Sequence, residues 1–123
     1  MKPSPAFIAL AVAAVFASPA WAGEADVVDA KVRRSASGTF DFDVTVKSMD
    51  KGATYYADAI EVLAPDGKLL GRRELLHAHE DEQPFTRDVY RVRIPAGVEF
   101  VMVRAHHNVK GYAGETLRLK LPR

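Results

Sequence analysis

The 123 residues contain no cysteine. That absence excludes disulfides, thiol redox chemistry, thiolate metal sites and lipid attachment at a lipobox cysteine. A fold without cross-links must be held by its apolar core, with a bound metal as the one other available staple. Charge of one sign is lacking too. The formal net charge is +1, and Lys2 is the only ionised side chain in the first 22 residues, so residues 23–123 carry 16 basic against 16 acidic groups. A balanced domain has no electrostatic footprint for nucleic acid or for an anionic membrane. No G-x-S-x-G elbow and no glycine-rich phosphate loop is present, so nucleophilic and phosphate-cradling chemistry have no recognisable carrier. The three methionines form no copper-binding tract. Beyond residue 22 no apolar run is long enough to span a bilayer, and no segment sustains a helical period.

What is there begins with a leader. Lys2 gives a positive start, residues 6–17 are an unbroken apolar run, Ser18 and Pro19 interrupt it, and Ala20-Trp21-Ala22 sets small residues before a cut after Ala22. This is the pattern of a cleaved secretory signal peptide over 1–22. Residues 23–123 are then one domain by length.

The remaining chain reads as seven strands: 27–34, 39–47, 55–64, 68–76, 86–94, 98–106 and 115–121. The second alternates strictly, with Phe40, Phe42, Val44 and Val46 on one face and Asp41, Asp43, Thr45 and Lys47 on the other, the period of a strand with one buried side. The third is apolar on both faces, as a central strand is; Tyr56, Ile60 and Val62 alternate there with Ala57, Ala59 and Leu63, and Asp58 needs a partner if buried. In the fifth, Tyr90, Val92 and Ile94 form the expected core face opposite Arg87, Arg91 and Arg93. Pro65-Asp66-Gly67 and Pro95-Ala96-Gly97 are turns in which proline presets φ and glycine accepts a positive one. Regular turn spacing over about a hundred residues predicts an all-β, seven-stranded antiparallel β-sandwich of the immunoglobulin or fibronectin type III kind. The missing inter-sheet cysteines favour the latter.

Antiparallel succession sends the ends of the second, fourth and sixth strands to one pole, so the loops 48–54, 77–84 and 107–114 cluster there. Two strand spacings are about 9.6 Å, a gap that side chains leaning over the third strand can close. All four histidines then meet at this pole: His77 and His79 at the head of His-Ala-His-Glu-Asp-Glu, and the adjacent His106 and His107. Imidazole is the commonest metal ligand and carboxylates accompany it. The expected metal set is therefore His77, His79, His106, His107 and Glu82, of a kind that suits zinc or copper better than calcium. Histidines 77 and 79 share a side of an extended chain. Of the later pair, His107 continues the inward series Val101, Val103, Ala105, and His106 lies with Arg104 on the outer face. The competing reading makes these histidines solvated, or pins for the loops. Arg87 is expected to pair with Asp81, Glu82 or Asp58. Tyr55, Tyr56 and Tyr112 flank the same pole.

The stretches HAHEDEQPFTR and VRAHHNVKGYAGE resemble a group of small exported proteobacterial proteins with no assigned activity. That resemblance implies a periplasmic or secreted β-sandwich and brings no site residues with it. The expected function is a small exported, non-enzymatic binding or accessory domain that presents the histidine-rich pole to a metal ion or to another exported protein. The alternative is a copper- or zinc-dependent periplasmic protein or enzyme, which would need an open coordination position in a walled cavity.

Overall fold

The computed structural model describes residues 23–122; the expected leader, 1–22, lies outside the described residues. Seven strands form, β1 (Ala25–Ala36), β2 (Thr39–Ser48), β3 (Ala57–Leu63), β4 (Leu69–Glu74), β5 (Phe85–Arg93), β6 (Phe100–His107) and β7 (Leu117–Lys120). They pair antiparallel throughout and make two sheets, ordered β1-β2-β5 and β4-β3-β6-β7. Among the described residues no helix is long and apolar enough to cross a membrane.

The alternation of β2 does what it predicts: Phe40, Phe42, Val44 and Val46 are buried to within 1%. They face Ile60 and Val62 of β3 and Val101, Val103 and Ala105 of β6 across the core. β3 is the inner strand between β4 and β6, and every residue of it except Asp58 is buried. A register shift between Ala57 and Ala59 places Ala57 with the core rather than opposite it.

β5 departs from the expected phase. Val89 and Val92 are buried and Tyr90 is 47% exposed. The cause is a bulge: Phe42 pairs with Val89 and Phe40 with Val92, so an extra residue is inserted between them. Arg91 absorbs it with φ at 55°, and its backbone N–H is taken by Asp41 Oδ1 at 2.8 Å. The extra residue breaks the period of two: Val92 and Ile94 keep the expected core face, while before the bulge the buried position is Val89, so Tyr90 turns outward and bonds Asp43.

The two edges of the sandwich close differently. On one side Val27 N–H reaches Glu115 O at 3.0 Å. On the other, Gly71 of β4 lies against Val92 of β5, where a Cβ would sit 2.8 Å from Val92 Cγ2, and Arg73 pairs with Asp88.

Candidate functional site

The loops after β2, β4 and β6 meet at one pole, and a buried carboxylate joins two of them. Asp50 accepts Ser48 Oγ–H at 2.7 Å and Ala57 N–H at 3.1 Å on Oδ1, and His79 N–H at 2.8 Å on Oδ2. Its side chain is wholly buried. Three donors on one carboxylate satisfy it without a cation. Gln83 adds a second tie. Its Oε1 accepts Ser48 N–H at 2.9 Å, and its Nε2 donates to His79 O at 2.8 Å and to Ser48 Oγ at 3.1 Å. The Gln83–Pro84 bond is cis, and β5 starts at the next residue, as the proline predicts.

The four histidines divide into two kinds. His79 and His107 are buried. The His79 ring stacks on Phe85 with centroids 3.9 Å apart, and Arg87 Nη2 donates to its Nε2 at 3.0 Å. A guanidinium can only donate, so the ring proton is assigned to Nδ1, which stands 4.0 Å from Asp50 Oδ2 and has no hydrogen bond among the described residues. Burial, with the neighbouring charges of Arg87 and His77, holds this imidazole below its usual range. His107 spends both ring nitrogens. Nδ1 accepts the N–H groups of Val109 at 3.1 Å and Lys110 at 3.2 Å, so Nε2 carries the proton and donates to Met49 O at 3.1 Å. Tyr55 packs edge-on against the ring at 4.3 Å.

His77 and His106 are the accessible pair, and they occupy different places. His77 is exposed, with Nδ1 3.0 Å from Ala78 O and its ring 4.6 Å from that of His79. His106 lies on the outer face of the four-stranded sheet, where its Nδ1 meets Asp58 Oδ1 at 2.5 Å and Tyr112 packs against it at 4.7 Å. This is the partner that Asp58 needs. Glu82 is mostly exposed and sits 3.6 Å from Arg87 Nη2, one of the pairings expected of that arginine. His77 and His79 therefore come together, while His106 and His107 do not join them. Among the described residues no group of three or more His, Asp or Glu is arranged to hold a metal ion. The cleft beside His77 and His79, lined also by Arg73, Glu74, Leu76 and Arg87, encloses about 140 Å³, well below the roughly 300–1,000 Å³ of small-ligand pockets.

Three residues that sequence reasoning passed over organise this region. Asp50 and Gln83 carried no local pattern. Glu61 did: it is an acid at an alternate position on an apolar strand, and its register partners are Arg72 and Arg104. It is 3% exposed. Arg104 Nε donates to it at 2.9 Å, Tyr112 Oη at 3.0 Å, and Arg72 closes the other side. Burial pushes its carboxyl up, but these donors outweigh burial and hold it below the usual carboxylate range. Arg72 and Arg104, the latter read from the sequence as an outer-face neighbour of His106, are the counter-ions of this group. Tyr112 covers them, with Arg104 stacked 3.7 Å from its ring centre.

No protein-family model matches the chain, and no solved structure matches it. A putative lipoprotein of the halophilic archaeon Halomicrobium mukohataei is 40% identical over 94 residues, which is 76% of this chain and 46% of that protein. The chain thus spans about half the length of the curated relative it matches. That relative is archaeal, so the expected restriction to proteobacteria is not supported by it.

Proposed function

We propose that the chain is an exported, non-enzymatic accessory domain that contacts another exported protein through its loop pole. One observation carries the reading: three loops are tied into a rigid platform, and each leaves an apolar side chain in solvent. Met49 is 51% exposed, Leu76 85% and Val109 56%. Asp50, Gln83, His79 and His107 do the tying. Exposed apolar groups on ordered loops contribute binding area at small conformational cost, and Tyr112 beside them is a residue type that suits wet interfaces. The leader pattern supports export, as does the relative's printed description, putative lipoprotein. The strand order supports a fibronectin type III-like sandwich, with β1-β2-β5 as one sheet and β4-β3-β6-β7 as the other. Such sandwiches use their end loops for contacts, although the fold itself names no function.

A photo-crosslinking residue placed at 49, 76 or 109, in the producing cell, tests this. A recurring adduct from these three positions, absent from positions 43 and 45 on the outer face of β2, is the expected result. Equal labelling from both faces, or none from the pole, contradicts it. Zinc and copper titrations followed through the histidine ring resonances separate the metal alternative: saturable shifts of His77 and His79 at micromolar metal would move the reading there.

A further inference from the structure

The chain enters the fold at this same pole, and its first described residues are packed unusually tightly. Glu24 N–H donates to Ala113 O at 2.8 Å, Met49 N–H to Glu24 O at 3.0 Å, and Tyr55 Oη to Glu24 Oε1 at 2.5 Å. Gly23 lies against the β6–β7 loop so closely that a Cβ on it would sit 2.5 Å from Gly114 Cα and 2.5 Å from Asp26 Oδ1. Gly114 is equally constrained, since its own Cβ would meet Ala25 O at 1.9 Å. A backbone nitrogen lies about 2.5 Å from the Cβ of its residue, so Gly23 N is within about 5 Å of the Asp26 carboxylate.

Asp26 is 1% exposed. The one hydrogen bond of its carboxylate among the described residues comes from Glu115 N–H at 2.7 Å, and it makes no ion pair there. The charged groups around it are mostly of its own sign: Glu24 on the lead-in and Glu115 on the β6–β7 loop, against Lys47 across the ladder on β2. A carboxylate withdrawn from water among other carboxylates is costly unless a cation joins it. Burial accordingly pushes Asp26 up from the usual carboxylate value.

We propose that the missing cation is the α-ammonium of Gly23, created when the leader is removed after Ala22, so that processing completes the fold. This rests on the export reading given above. Hydrolysis of the Ala22–Gly23 amide consumes one water, leaves a carboxylate on the departing Ala22, and leaves a protonated amine on Gly23. Before the cut Gly23 offers one neutral N–H. After it, the same atom carries a positive charge and three donors beside Asp26, on a backbone already held by Ala113 and Met49. The precursor then lacks a stabilising pair that the processed chain has, which suits a polypeptide that must stay unfolded until it is exported.

The test compares chain 23–123 bearing a free Gly23 amine with the same chain acetylated at Gly23. Acetylation removes the charge and adds few atoms. The free amine is expected to titrate about one unit above the usual 7.7–8.0. Acetylation should raise the unfolding constant about tenfold at pH 6.5, the equivalent of that shift. Both effects should vanish in Asp26→Asn. Equal stability of the two chains, or an acetylation effect that persists in Asp26→Asn, overturns the proposal. Should Asp26→Asn not fold, the pH profile decides: a difference between free and acetylated chains that does not fade above pH 10 overturns it. Mass spectrometry of the exported protein separates the two readings. A shortened chain that begins elsewhere than Gly23 removes the proposed pair and leaves export standing, whereas a chain retaining its leader removes both.

Discussion

Asp50 is the residue on which the pole depends. Its three donors come from the last residue of β2, the first residue of β3 and the loop between β4 and β5, so its loss strands buried N–H groups as well as removing hydrogen bonds. Asp50→Ala is expected to cost about 3 kcal/mol or more, since each orphaned buried donor costs roughly 1–3 kcal/mol. Urea unfolding measures it, and a loss under about 1 kcal/mol would mean the loops are held otherwise. Sequence could not point to this residue: Asp50 in Met-Asp-Lys-Gly reads as an ordinary turn acid, and its partner His79 is 29 positions away. The histidines were legible as far as strand phase reaches. Alternation along β6 puts His107 inside and His106 outside, as found. Their division of labour was not legible, because it depends on Met49 O, Arg87 and Asp58, which only the folded loops bring near. His79 also gives a pH prediction. Its folded imidazole binds a proton less readily than the unfolded one, because burial, Arg87 and His77 oppose the charge. Its contribution to stability is complete above about pH 6.5 and is lost as the pH falls from there through the lower folded value. The chain should therefore lose stability between pH 7 and 5, and His79→Phe, which keeps a ring against Phe85, should show a flatter profile in that window. An unchanged slope would contradict this.

At the scale of strands, all seven were readable from alternation and turn chemistry, with boundaries displaced by a few residues at most. Phase failed in β5, where the period of two is broken by the bulge at Arg91. An arginine at positive φ leaves no mark in the sequence, since the residue that usually announces such a position is glycine. The result is that Val89, not Tyr90, supports Phe42. The contact between the sheet edges is similarly hidden. Gly71 looks like a weak point in a strand, yet it is what allows β4 to approach Val92 of β5. Gly71→Ala should destabilise by about 1–3 kcal/mol through overpacking, and Val92→Ala in the same chain should recover part of that loss. Thermal unfolding of the single and double variants checks it; additive losses would show that the two residues are not in contact.

For the molecule as a whole, the two sheets enclose a conventional apolar core, and the unusual chemistry is confined to one pole and the adjoining outer face of the four-stranded sheet. Composition alone excludes thiol chemistry and offers neither an electrostatic footprint for nucleic acid nor a nucleophilic motif. Topology then gathered the three loops. The step that sequence could not take was to see that gathering loops is not the same as gathering ligands. His79 and His107 are held in hydrogen bonds that tie the loops, and the large apolar or aromatic side chains left exposed on those loops are Met49, Leu76, Val109 and Tyr112. The most direct test of that account is the nitrogen spectrum of the histidine rings in chain 23–123 at neutral pH. The account predicts opposite neutral tautomers, with the proton on Nδ1 in His79 and on Nε2 in His107, and no common shift when zinc or copper(II) is added. Two rings with fast-exchanging protons that both move with either metal would contradict it.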